Sequence, residues 1–149
     1  MLRWVCKPFN ELTIDELYDT MRIRQEVFVV EQNCPYLDAD GKDQKSHHLM
    51  GYAGEELVAY SRLVKPGVSY NEVSIGRVVS ATKHRGSSFG KQLMTQSIAE
   101  INKIYGPVPI RISAQQYLQK FYEGFGFVRL SEEPYMEDFI PHVEMLRDL

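Results

Sequence analysis

The apolar positions change period several times along the chain, and each change marks an element. Trp4 and Val5 open the sequence as a short strand. Thr13-Ile-Asp-Glu16 is a capping box, in which hydroxyl and carboxylate satisfy orphan N–H groups, and Ile14, Leu17, Tyr18 and Met21 then recur at helical spacing. That pattern breaks at Arg24 and Gln25. A helix continued to Phe28 carries Gln25 near the middle of its apolar stripe and Arg24 at its edge, so either the helix ends or these polar groups line a cleft. Residues 47–52 and 57–65 alternate as two strands around Ala53-Gly54-Glu55 and form a hairpin. Residues 73–80 make the next strand and 87–105 a long helix, whose Leu93, Met94, Ser97, Ile98, Ile101, Ile104 and Tyr105 share one face before Gly106-Pro107 stops it. Ile110, Ile112 and Ala114 alternate as a strand, and Leu118, Phe121, Tyr122 and Phe125 make a short helix punctuated by Gly124 and Gly126. Residues 127–130 and 142–146 close the chain as strands. The order predicts an α/β architecture, a mixed twisted sheet of six to seven strands covered by helices.

Composition narrows the function. A length of 149 residues predicts one domain with its own core. The 17 basic and 20 acidic residues produce no global positive field of the kind that draws proteins to nucleic acid, so any basic site is local. Cys6 and Cys34 are too few for a secreted disulfide framework, no apolar run has the length of a membrane span, and the first residues lack signal-peptide order. The expectation is a soluble cytoplasmic protein that contacts neither membrane nor nucleic acid, as a monomer or homodimer.

The basic part of the chain is concentrated where a strand runs into a helix, SIGRVVSATKHRGSSFGKQLM over residues 74–94. The first turn of a helix presents unpartnered N–H groups at the positive end of the helix dipole, where anions settle. Gly86 and Gly90 remove side chains from a backbone that phosphates must approach, and Lys83, His84, Arg85 and Lys91 surround it with positive or protonatable groups. A pyrophosphate ligand is expected. G-x-G-x-x-G and Gly-Lys-Ser/Thr are both absent, which disfavours dinucleotide and Walker-type sites.

The strand, the His84-Arg85-Gly86-x-x-Phe89-Gly90 turn and Phe121-Tyr-Glu-Gly-Phe-Gly-Phe127 resemble, in order and spacing, the GNAT acetyltransferases. In that family a Gln/Arg-x-x-Gly-x-Gly/Ala turn grips the pyrophosphate of acetyl-coenzyme A, and a Tyr-x-x-x-Gly-Phe segment brings a tyrosine to the thioester. Residues 122–127 match the second pattern in full; in the first, Gly86 matches, while Lys83 and Ser88 stand where Gln/Arg and Gly/Ala are usual. Trp4, Phe9, Leu12, Tyr18, the Arg22 to Tyr36 run, Asp40, Asp43, His48-Leu49, Ile75-Gly-Arg-Val78 and Glu137-Asp138 with Ile140-Pro-His142 extend the likeness to the ElaA family of bacterial GNAT proteins. The Arg-x-x-x-Phe and spaced acidic residues, with Arg62-Leu63, also look like acyl-homoserine-lactone synthases.

The resemblance implies an N-acetyltransferase with acetyl-coenzyme A as cosubstrate and a small-molecule or peptide amine as acceptor. Alternatives are a non-catalytic acyl-coenzyme A sensor and a lactone-synthase-like acyltransferase. Tyr122 is the expected acid at the departing thiolate, and Glu72, fourteen residues ahead of Gly86, the expected base, with Glu31 its rival. Cofactor contacts are expected from Val78, Val79 and Ser80, where the family strand bulges and frees main-chain donors, from His84, Arg85, Gly86, Ser87, Ser88, Phe89, Gly90 and Lys91, and from Gln115. Arg24, Glu31, Asp40, Asp43 and His48 are assigned to the acceptor, although Asp40 and Asp43 pairing with Arg22, Arg24 or Arg62 to order their loop is an equally natural use. A metal is not expected. Asp38-Ala-Asp40-Gly-Lys-Asp43 lacks the glycine and glutamate spacing of a calcium loop, and Cys34 with His47 or His48 lacks zinc spacing.

Overall fold

The computed structural model describes residues 1–81, 83, 86 and 88–148. Strand β1 (Arg3–Pro8) leads to helix α1 (Ile14–Arg24), whose Thr13–Glu16 capping box forms as the sequence predicts. The helix does not stop at Arg24 but widens into a π-helical segment, Gln25–Glu31. The hairpin β2 (Ser46–Ala53) and β3 (Glu56–Val64), strand β4 (Val73–Ser80), helix α2 (Phe89–Tyr105) and strand β5 (Ile110–Gln115) follow. The chain ends with α3 (Gln119–Glu123), β6 (Phe127–Arg129), β7 (Tyr135–Glu137) and β8 (Ile140–Arg147). The eight strands form one mixed sheet in the order β1-β2-β3-β4-β5-β8-β6, with β7 also paired to β8; only β4 and β5 run parallel. The sheet has one strand more than the range expected. Three-residue β7 gives no periodic signal, and its pairing depends on the return of the chain at Asp138-Phe139.

The buried face of α1 differs from the one its apolar spacing suggests. Ile14 and Tyr18 face solvent at 87% and 69% exposure, while Thr20, Ile23 and Arg24 are buried. The helix turns an arginine into the protein because carboxylates wait there, and pairing outweighs hydrophobic spacing at that position.

Two close contacts fix the sheet, one to its covering helix and one between its own strands. Ser61 on β3 donates to Ser97 on α2 at 2.8 Å, and Ser97 in turn donates to the Leu93 carbonyl at 2.7 Å, so neither buried hydroxyl is left unpaired. At the other edge, Trp4 of β1 lies opposite Gly51 of β2, and its ring occupies the space a side chain would need; a Cβ there would lie 2.6 Å from the indole. Gly51→Ala is therefore expected to destabilise the protein by about 1–3 kcal/mol, read as a lowered denaturation midpoint in urea with unchanged slope.

Candidate active site

The parallel pairing of β4 with β5 covers only Val73–Ile110 and Ser74–Arg111, after which the two strands diverge, while β5 stays paired to β8 as far as Gln115 and His142. The divergence opens a cleft of about 760 Å³. One wall is β4, the other is β5 with the β7–β8 hairpin, the floor includes Tyr122, and the π-helical segment closes one end through Val27, Phe28 and Glu31. The volume is that of a small-molecule site.

The β4 wall is bulged. Arg77 and Val78 together stand opposite the single residue Ser61, whereas Val79 and Ser80 are back in register with Tyr60 and Ala59. The bulge thus lies earlier than the expected Val78 to Ser80, and Arg77 starts it with a left-handed φ of 51°. That conformation costs a non-glycine residue about 1–2 kcal/mol. It aims the guanidinium at the loop ahead of β2, where Arg77 Nε donates to Asp38 at 2.7 Å and Nη2 to Asp40 at 3.3 Å.

Arg77 belongs to a charge-balanced network. Arg24, fully buried, donates to Asp38 at 2.7 Å and to Asp43 at 2.8 Å; Arg62 holds Asp40 through two bonds of 2.8 and 2.9 Å and reaches Asp43 at 3.0 Å. Burial works against both aspartates' charge, but the arginine hydrogen bonds prevail and hold Asp40 and Asp43 below the usual carboxylate range. Arg22, the other partner considered, pairs instead with Glu26 on the surface. Beneath the network His48 is fully enclosed: its Nε2 donates to the Asp43 carbonyl at 2.9 Å, and its Nδ1 accepts from the Tyr60 hydroxyl at 2.6 Å. Burial holds its pKa below the ordinary histidine value.

Of the residues assigned to the acceptor, Glu31 and Asp40 reach the cleft wall, whereas Arg24, Asp43 and His48 do not and serve to hold the loop. The linkage has a definite sign. With folded pKa values depressed, His48 contributes stability that is present above about pH 6.5 and lost as pH falls; Asp40 and Asp43 do the same below about pH 4. Burial holds the pKa of His47 down as well, so thermal denaturation from pH 8 to 3 should show two descending steps, and His48→Gln should shrink the first and leave the part that His47 contributes.

Cofactor-side residues are brought together in part. Val78, Val79, Ser80, Gly90 and Gln115 line the cleft. Gly86 has a φ of 92°, a value that suits glycine. Ser88 precedes α2 in a left-handed conformation, φ 59°, and its hydroxyl makes no capping bond, so the backbone there suits glycine better than serine. Phe89 starts the helix, and Lys91 is exposed in its first turn. His84, Arg85 and Ser87 lie outside the described residues. Lys83 is drawn to Glu56 at 2.6 Å. Among the described residues, no group of three or more His, Cys, Asp or Glu side chains is placed to hold a metal ion, and no helix is long and apolar enough to cross a membrane.

Tyr122 is buried on α3 with Phe121 and Phe127 edge-on to its ring, and no group among the described residues hydrogen-bonds its hydroxyl. Burial pushes its pKa up to about 12. Glu72 is not brought to the cleft. It sits ahead of β4, its Oε1 3.6 Å from Arg111 and without a hydrogen bond, because the β4 wall begins beyond it and Arg111 of β5 draws it aside. A polar group to which the sequence reading assigned no role takes that side of the cleft: Ser113 on β5, with Glu137 on β7 and His142 on β8, two residues named there only as part of the family likeness.

Comparison with known proteins agrees with this geometry. Residues 18–149 match the acetyltransferase (GNAT) domain family. The chain is 40% identical to Protein ElaA of Escherichia coli, over 100% of this chain and 98% of the relative; the crystal structure of that protein superposes with a TM-score of 0.92 over 99% of this chain and 100% of its own. An acyl-CoA N-acyltransferase from Pseudomonas aeruginosa superposes with a TM-score of 0.93 at 43% identity, covering 99% of both chains. A Bacillus acetyltransferase solved with CoA shares the fold, with a TM-score of 0.66 at 23% identity over 100% of this chain and 99% of its own.

Proposed function

From a chain that belongs to the GNAT acetyltransferase family, in its ElaA group, we infer an N-acetyltransferase that passes the acetyl group of acetyl-coenzyme A directly to a primary amine while both are bound. The observation that carries this reading is the divergence of β4 from β5 beyond Ser74, with a bulge on one side and Tyr122 at the floor. An extended thioester arm fits between two strands that no longer pair with each other, and a bulge leaves main-chain donors off the ladder beside it. Gly90, on the first turn of α2, keeps the approach to that wall open. The Gln115 amide supplies both a donor and an acceptor to the arm.

The acceptor enters from the side of Glu31 and Glu137, since the charge of Asp40 is already balanced by Arg62 and Arg77. Carboxylates there favour a cationic amine, whose attack requires the loss of its proton. Calorimetric titration of the full chain with acetyl-coenzyme A should show saturable binding, and a mass-spectrometric screen with labelled acetyl-coenzyme A should place the label on a primary amine. No saturable binding at millimolar ligand sinks the proposal. Binding without transfer to any amine leaves the sensor alternative.

A further inference from the structure

We propose that His142, backed by Glu137, is the base that takes the proton from the acceptor ammonium; this rests on the transferase reading above. His142 Nδ1 lies 2.7 Å from the Ile140 carbonyl, which can only accept, so Nδ1 carries the hydrogen and the neutral ring keeps its lone pair on Nε2. That nitrogen faces Glu137 Oε2 at 3.3 Å. A proton accepted at Nε2 would therefore lie between the ring and the carboxylate.

The carboxylate is itself held in place. Ser113 Oγ donates to Glu137 Oε2 at 3.0 Å, and Tyr135 donates to Ser113 at 2.6 Å while its ring stacks on the imidazole at 6.2 Å and 26°. Glu144, Tyr70 and Arg111 are the other titratable groups around this relay. Arg111 pairs with Glu144 at 3.2 Å and Glu72 at 3.6 Å and lies against the Tyr70 ring at 5.2 Å. The other buried imidazole, His48, has both nitrogens engaged.

Two protons must leave the ammonium to give an amide. The first passes to His142 Nε2, where Glu137 stabilises the imidazolium, and then to water. The freed nitrogen lone pair forms the C–N bond, the C–S bond breaks, and the second proton ends on the departing sulfur.

The test measures thiol release from acetyl-coenzyme A at pH 7 with two probes: ethylamine, which is almost wholly protonated, and 2,2,2-trifluoroethylamine, which is largely neutral. His142→Asn should lower kcat/KM for ethylamine about 100-fold and leave that for trifluoroethylamine nearly unchanged. Glu137→Gln, at an exposed hairpin position, should show a smaller loss in the same direction. Unchanged calorimetric binding of acetyl-coenzyme A checks that both variants keep the cleft. Equal losses for the two amines, or none, overturn the base assignment and leave the transferase reading standing. A wild-type protein that binds acetyl-coenzyme A but releases no thiol with either amine overturns the base assignment, and the amine screen described above then decides the transferase reading.

Discussion

Replacing Asp43 with asparagine lowers stability by about 3–5 kcal/mol, because it leaves two buried guanidinium groups short of one charge. Arg24 donates to Asp43 at 2.8 Å and Arg62 at 3.0 Å; asparagine keeps the shape but returns only a neutral acceptor to each. In a chain of this size the loss corresponds to a fall in Tm on the order of 10 °C. Arg22→Ala, which removes the exposed pair with Glu26, should change stability by no more than about 0.5 kcal/mol. Differential scanning calorimetry of the two variants separates the cases. Equal, small shifts would mean that the network is not the clamp its geometry suggests.

Tyr122→Phe lowers kcat about 100-fold while leaving acetyl-coenzyme A affinity and Tm almost unchanged. The ring packs against Phe121 and Phe127, so phenylalanine keeps every apolar contact, and no hydrogen bond among the described residues is lost with the hydroxyl. With its pKa pushed up to about 12, full proton transfer to a thiolate of ordinary basicity would be uphill by about 5 kcal/mol. Under the proposed transferase function, the hydroxyl is therefore expected to act by donating a hydrogen bond to the sulfur as charge develops there. Turnover and calorimetric affinity are the paired readouts; parallel loss of both would assign Tyr122 to packing instead.

Much of the framework was legible because local rules and the fold agree. The Thr13–Glu16 capping box, the hairpin around Gly54 and the Gly106 stop all act within a few residues, and each stands where its chemistry predicts. The spacing of its motif singled out Tyr122, and the fold brings that residue to the cleft. Arg24 showed as an irregularity in a helical stripe, but its meaning depended on Asp38 and Asp43, fourteen and nineteen residues away, which no periodicity connects to it. Glu72 was placed by analogy of position, and the pull of Arg111 on a neighbouring strand could not be read from spacing. His142 was hidden for a related reason. Its significance comes from Glu137 across a two-residue turn and from Ser113 on another strand, and β7 is too short to announce that turn.

Strand β8 is bonded along one side to β5 and along the other to β7 and then β6. Even the gap between those two short strands is bridged, since Leu130 donates to the Glu144 carbonyl and the Glu144 amide donates to Ser131. Its amides around Val143 to Met145 should accordingly be among the last to take up deuterium, well after the exposed margin at β1. The histidine assigned to proton removal thus sits at the start of a strand bonded on both sides, and on this expectation chemistry on that side of the cleft rests on a slowly opening part of the chain.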